Sequence, residues 1–541
     1  SNRDRRFDPL YAAGPYFGNL RARKQIRVRA VWSATSYTIF TGWVTGWPQD
    51  YAEGRVDATV EIQCVDALAW LAEAGMTFDT GVDVLSSLGA VRCHHRFDGT
   101  TWSDSIGTLH ATPYALTTGN NQPSPTRITA SGNASAPVNG VSSWYAGGSP
   151  VSNGSVSAWM QFAAPSTSGT VEVIAGYRFG PDTNGVVQYN FGGLYGTIDT
   201  GVRLADGVPH HICFTYDDTS GTSRAYVDGV QTQVIATGSG ASICAGQGVI
   251  GYQAVGFEIL MQDLTQWNVV LTAAQVAQAY RAGLNQIVEP TTTRVTRILD
   301  NIAWPAAWRT LPPTSGLGAA RGEVSDVQQT GFALNALRDV EASEQGRLFA
   351  SKANFLTLQA RYDAFETTRG NTVQATFSDD GTGIGYTSIG WDYEDRDVTN
   401  DVTVDWSDGS QRSTDSTSIT AVGRQSQTIN TVLSTKAQAT DMAAGVVQFR
   451  KDEKMRTRAI RVMPANGAHW ATVLNLEIGD RISVKITPMG VGAQITQTLT
   501  LEAISWSILG AEWAVDLFGT PIPTDVFVLD SSLLDTGRLG Y

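Results

Sequence analysis

Apolar and polar residues alternate along much of this chain with the two-residue period of a strand. Val56, Ala58, Val60, Ile62 and Cys64 alternate with Asp57, Thr59, Glu61 and Gln63, which predicts one continuous strand with a single buried face. Ile212, Phe214 and Tyr216 point one way and His211, Cys213 and Thr215 the other. Residues 217–221 then turn the chain, Ala225-Tyr226-Val227 returns it, and Asp228-Gly229 is a two-residue hairpin signal. A hairpin is expected over 347–349 and 355–358, and closing strands over 482–486, 498–506 and 513–517. Where the period lengthens, helices are expected. One covers 66–74 with Gly75 as its stop, and one opens at the capping box Thr272-Ala273-Ala274-Gln275 and runs to Gly283. Another carries Phe332, Ala336, Leu337 and Val340 on one stripe. The most regular helix has Ala439, Met442, Ala443, Val446 and Val447 at i, i+3, i+4, i+7 and i+8.

Two stretches share an order of strands. Residues 26–30, 38–43 and 56–64 read as strand, strand ending near Trp43, and a further strand; residues 482–486, 499–506 and 513–517 repeat that pattern around Trp506. One reading is a barrel-like unit used twice; the other is that any two small barrels look this way.

Composition then divides the chain. Lys24 is followed by no lysine until Lys352, and between 97 and 285 only Arg127, Arg178, Arg203, Arg224 and Arg281 are basic, against eleven acidic residues. Such a shift marks an inserted or appended module. The net charge of −13 argues against nucleic-acid binding, which needs a basic footprint. No run of eighteen apolar residues is present, so no spanning helix is expected. Residues 1–7 have no hydrophobic signal-peptide core, and without an initiator Met the chain is expected to be trimmed or processed. Cys64, Cys93, Cys213 and Cys244 are too few for a disulfide scaffold in 541 residues.

Catalytic and metal chemistry finds little support. Cys93-His94-His95 and His210-His211-Ile212-Cys213 lack zinc-ligand spacing, because adjacent strand residues face opposite ways; packed or capping histidines are the expectation. Glu172 and Glu258 are far apart in sequence and offer no glycosidase carboxylate pair. Asp199, Asp206, Asp217 and Asp228 sit in turn contexts, where Asp bonds its own backbone. No nucleophile elbow or phosphate-binding loop appears, so no catalytic residue is assigned. Asp98, Asp104 and Asp263 are oxygen-ligand candidates for calcium, with Asp turns as the alternative, and no other cofactor is expected. Trp102, Tyr114, Trp144 and Tyr145 are candidates for stacking on sugars, with a place in the sandwich core as the alternative.

Three phrases of the middle module resemble laminin-G-like (concanavalin A-like) jelly rolls. They are His210-His211-Ile212-Cys213-Phe214-Thr215-Tyr216-Asp217, Ala225-Tyr226-Val227-Asp228-Gly229-Val230, and the stretch from Asp263 through Trp267 to Leu271-Thr272. Pro209 departs from the pattern, which often has Trp there. Many members of that family bind glycans or proteins, and some bind calcium.

The flanks resemble minor tail proteins of long-tailed phages, especially those of actinobacteria. Asn2-Arg3-Asp4-Arg5-Arg6-Phe7-Asp8-Pro9, Phe40-Thr41-Gly42-Trp43-Val44, the hairpin within 341–361, Ile478-Gly479-Asp480-Arg481-Ile482 and the arm 529–539 carry the likeness in order. Asn354 stands where Gly is usual. This resemblance implies a structural, non-enzymatic virion protein of the tail tip, a homotrimeric baseplate hub that closes the tail tube. Its implied partners are distal tail and tail-tube proteins, the tape-measure protein, other tail-tip proteins and a host cell-surface glycan. The first barrel is then expected to lack its N-terminal strands here.

The expected fold is mostly β and multidomain: split β-barrel hub domains with a few helices and an inserted β-sandwich jelly roll. The expected divisions are 1–91 (first part of a hub barrel), 92–286 (the jelly roll), 287–398 (an α+β hub domain), 399–529 (a further hub region with a C-terminal barrel) and 530–541 (an extended arm). The competing class is a secreted carbohydrate-binding or glycan-degrading protein.

Overall fold

The computed structural model describes residues 4–51, 58–76, 80–95, 111–114, 122–123, 134–137, 141–145, 152–162, 172–174, 177–181, 184–190, 197–240, 247–250, 259–284, 287–316, 318–326, 331–394, 398–407, 409–464, 467–488, 492–522, 526–527 and 538–539. The chain is mostly β and divides into two compact units. One, the scaffold, comprises Ser1–Thr77, Glu289–Ser325 and Gln329–Tyr541; the other, the middle unit, comprises Phe78–Val288 with Asp326–Gln328.

In the scaffold the largest sheet has six strands, in the order Val373–Ser378, Arg481–Ile486, Ile495–Leu509, Glu512–Pro521, Lys454–Val462 and Ser388–Glu394. Its core joins Phe377, Ile460, Ile482, Val484, Leu501, Val515 and Leu517, all essentially buried. A three-stranded sheet orders Gln25–Trp32, Thr35–Gly46 and Gln63–Val65, and another orders Gly409–Thr414, Asp401–Trp406 and Ser426–Asn430. The helix Lys436–Arg450 buries Ala439, Met442, Ala443 and Val447 against the last of these, the stripe read from the sequence.

The expected strand over 56–64 is two elements. Ala58–Val60 pairs Gln49–Tyr51, whereas Gln63–Val65 pairs Thr35–Gly46 in a different sheet. Exposure still alternates from Thr59 to Cys64, so the period was right and the continuity was not. The helix Ala67–Glu73 starts at Asp66, whose side chain accepts from Leu68 N, and it ends at Ala74. Phe332 caps the helix Ala333–Glu344 and is half exposed, while Ala336, Leu337 and Val340 are buried as expected. Arg347–Ala350 and Leu356–Gln359 form the expected hairpin. Its turn residue Asn354 has φ 65°, a left-handed conformation that Asn tolerates better than most side chains, and its Oδ1 accepts from Ala67 N at 2.8 Å. Asp480, 2% exposed, is gripped by Arg369 through both oxygens, with Nε–Oδ1 at 2.6 Å, and also accepts from Glu477 N.

The middle unit has one large sheet, ordered Val230–Ala236, Thr222–Val227, His210–Asp217, Asn153–Phe162, Ile259–Trp267, Ala134–Pro137 and Gln122–Pro123, with Val91–His95 also paired to Ile259–Trp267. A four-stranded sheet runs from Glu172–Ile174 to Thr197–Arg203, and Gln247–Ile250, Val141–Tyr145 and Ala111–Tyr114 make a third. On the large sheet lies a core of Leu85, Leu88, Cys213, Tyr226, Trp267 and Val276, contributed partly by the helices Thr80–Ser87 and Ala273–Gly283. The second helix begins with the expected capping box at Thr272 and Gln275. Trp267 donates from Nε1 to Leu85 O at 3.1 Å, so its buried indole N–H is satisfied.

Candidate functional site

The polar chemistry of the middle unit collects around the strand His210–Asp217. It pairs Asn153–Phe162 on one side and Thr222–Val227 on the other. The hairpin that follows is closed by Asp228 and Gly229, both with positive φ (50° and 79°), the backbone that a primed two-residue turn requires. This turn delivers the Asp228 carboxylate to the start of the earlier strand. Oδ1 accepts from His211 N at 3.0 Å, and Oδ2 lies 2.8 Å from His210 Nδ1. From the other side, Asp206 Oδ2 lies 3.2 Å from His210 Nε2, while Asp206 Oδ1 accepts from Val208 N at 2.8 Å. An imidazole with a carboxylate at each nitrogen can satisfy both only as a double donor. The bond to Asp228 therefore raises the His210 pKa above its ordinary value, against the cost of partial burial. Asp206 remains half exposed, so its carboxylate can still accept hydrogen bonds from hydroxyl groups in solution.

The next residue turns inward. His211 is fully buried, with its ring 5.5 Å from Trp159 and 6.1 Å from Tyr280, and Trp159 stacks on Tyr280 at 5.5 Å. Burial lowers its pKa to about 4, so it is neutral near pH 7. The helix Ala273–Gly283 can come this close because its last residue has no side chain: a Cβ at Gly283 would lie 2.0 Å from Trp159 Nε1.

Asp263 occupies a bulge in the strand Ile259–Trp267. Ser157 pairs Thr265 and Trp159 pairs Gln262, so Asp263 and Leu264 share the space opposite Ala158. Asp263 has φ 51° and its Oδ1 lies 3.4 Å from the Nε2 of buried His94. Its negative charge also opposes the downward shift of His211. One calcium candidate thus faces histidine chemistry. Asp98 and Asp104 lie outside the described residues, and among those described no group of three or more His, Cys, Asp and Glu is placed to hold a metal.

Of the aromatic candidates, Trp102 lies outside the described residues. Tyr114 is registered opposite Val141, and Trp144 opposite Ala111 and Gly248, with Tyr145 next to it opposite Gln247, so these three positions share one sheet. Of the histidines expected to pack or cap, His211 packs and His210 bonds the Asp228 turn. Asp199, Asp206 and Asp217 bond their own loops through Gly201 N, Val208 N and Thr219 N, as turn residues should. The role of Asp206 and Asp228 as joint partners of His210 was missed. The turn over 217–221 was the available signal, because it sets the register in which Ile212 lies opposite Val227 and so brings Asp228 to His210. Burial also pushes the Cys213 thiol pKa upward, which removes it as a nucleophile.

Residues 131–277 match the family model described as the concanavalin A-like lectin/glucanases superfamily. The middle unit carries a laminin-G-like, concanavalin A-like domain. No curated protein matches the chain. Among solved structures, the chain is similar to the binding domain of paraclostridial mosquitocidal protein 1, with 10% identity and a TM-score of 0.31, over 38% of this chain and 55% of that one. It is also similar to the botulinum neurotoxin serotype D ligand-binding domain in complex with N-acetylneuraminic acid, with 11% identity and a TM-score of 0.31, over 36% of this chain and 52% of that one. The chain thus spans about half the length of these structures.

Proposed function

We propose that this chain is a structural, non-catalytic protein of a phage tail tip. It forms a homotrimeric baseplate hub that closes the tail tube, and its middle unit attaches the particle to a host cell-surface glycan. One observation carries the reading: residues on both sides of Phe78–Val288 belong to one compact unit, so a lectin-type domain interrupts a scaffold that is otherwise a single unit. Insertion of a whole domain is how a binding function is added without rebuilding the host. The ordered tail-protein motifs of the flanks support the hub assignment. In one of them Asp480 sits in a buried ion pair with Arg369, a demanding position of the scaffold. Support for a glycan ligand comes from the lectin/glucanase superfamily match and from a middle segment poor in charge and rich in Ser, Thr and Gly. In this reading the scaffold's partners are tail-tube, distal-tail, tape-measure and other tail-tip proteins. Affinity at each site is weak, and three copies in a trimer compensate through avidity.

The test combines assembly with location. Native mass measurement should give a trimer, and antibodies against 78–288 should label tail tips and block adsorption to cells. A stable monomer that cleaves cell-wall polysaccharide would overturn the hub reading in favour of a secreted glycan-degrading protein.

A further inference from the structure

A cavity of about 530 Å³ lies within the scaffold, where the helices Ala333–Glu344 and Lys436–Arg450 meet the strand Ser426–Asn430 and the ends of Ile495–Leu509 and Glu512–Pro521. Its walls hold five guanidinium groups, from Arg338, Arg347, Arg361, Arg450 and Arg456, against one carboxylate, Glu341. In a chain of net charge −13 this is a local reversal of sign. Glu341 is already committed: Oε2 lies 2.5 Å from Arg338 Nη1, and Oε1 accepts from Leu348 N at 2.6 Å. Arg347 is held by Glu502 at 3.0 Å, and Arg361 donates to the carbonyls of Glu344 and Ser343. Arg450 is exposed and forms no ion pair among the described residues. Tyr362 lines the same cavity, and its buried hydroxyl has no hydrogen-bond partner among the described residues. Buried polar groups are normally satisfied, so a donor left in this state marks where an acceptor belongs.

The remaining wall is apolar, with Phe365, Met442, Phe449 and Ile522 between the cations. One side is the last strand of a sheet. That strand, Ser426–Asn430, ends a three-stranded sheet and is mostly exposed, and Gln427 and Ile429, two residues apart, line the cavity. Residues at that spacing share a face of the strand. Cations, an unfilled donor, apolar wall and the last strand of a sheet together suit one class of occupant.

We propose that this cavity binds an extended acidic peptide segment of a partner protein. The segment pairs along Ser426–Asn430, places a carboxylate between Arg450 and the Tyr362 hydroxyl, and seats a neighbouring apolar side chain against Phe449 and Met442. This is strand addition with a charged anchor. The site belongs to the scaffold and stands whether or not the middle unit binds glycans.

A library of random short peptides should be selected against the immobilised full chain, and the enriched peptides synthesised. Asp or Glu beside an apolar residue should dominate, and amide analogues should lose binding. Arg450→Glu should weaken binding by about tenfold, which corresponds to about 1.4 kcal/mol, and Tyr362→Phe by a smaller factor. Arg450 is exposed and Tyr362→Phe removes one oxygen, so both variants should unfold as the parent does. The proposal is overturned if no peptide is enriched, if enriched peptides lack acidic residues, or if Arg450→Glu binds them unchanged.

Discussion

In the scaffold, buried carboxylates are held by arginine: Asp480 by Arg369, Asp401 by Arg412 and Arg424, and Glu289 by Arg294 and Arg297. In the middle unit the ion pairs among the described residues all use histidine: His210 with Asp206 and Asp228, and His94 with Asp263. Arginine keeps its charge across the accessible pH range, whereas histidine changes charge between about pH 5 and 8. The hydrogen bonds from Arg412 hold the Asp401 carboxyl well below the usual carboxylate range. Its contribution is therefore complete above about pH 4 and is lost only in stronger acid. The two units thus depend on pH in different windows, and that difference follows from the same compositional shift that marks the insertion.

The largest effect should come from uncharged packing in the middle unit. Trp159→Ala removes the ring shared by His211 and Tyr280 and should cost about 4 kcal/mol. Calorimetry should show the middle-unit transition falling while the scaffold transition stays in place. A joint shift would mean that the two units do not unfold separately.

Next comes acid. The pKa of His211 falls from 6.5 to about 4 on burial, so its stabilising contribution is present above pH 6.5 and is lost as pH falls towards 4. The middle unit should lose about 3 kcal/mol across that window, at about 1.4 kcal/mol per pKa unit. His211→Gln should flatten the slope; an unchanged slope in that variant would assign it to another group. A smaller loss, about 2 kcal/mol, is expected for Asp480→Asn, which breaks the Arg369 pair. Only the scaffold transition should respond.

The smallest effect has the opposite sign in pH. His210 has a raised pKa, so its contribution is complete below about pH 6.5 and is lost as pH rises through its folded value. Asp228→Asn should cost about 1 kcal/mol at pH 6 and less at pH 9. An equal cost at both would show that Asp228 acts through its turn geometry and not through His210.

Local patterns in this sequence predicted local structure well. The Asp228-Gly229 hairpin, the Thr272–Gln275 capping box and the stripe on Lys436–Arg450 each depend on residues within a few positions of one another. The break between Val60 and Gln63 did not show, because alternation records which face is buried and not which partner strand is chosen. Alternation put His211 on the face opposite Ile212, Phe214 and Tyr216, but both faces of that strand are buried, and the rings around His211 come from Trp159 and Tyr280, distant in sequence. Asp263 read as a candidate oxygen ligand, because no short-range signal announced the bulge that turns it towards His94. The scaffold cavity drew its five arginines from five separate elements and loops, none of them basic enough to stand out alone.

The central claim is that the middle unit binds a polar glycan and the scaffold carries it. Equilibrium binding of host cell-wall polysaccharide should be measured with the full chain and with residues 78–288 alone. The account predicts the same weak single-site affinity for both, a tighter apparent affinity for the full chain on a dense glycan surface, and no cleavage of the polysaccharide. Polysaccharide bound by the full chain but not by 78–288, or shortened by either, would contradict it.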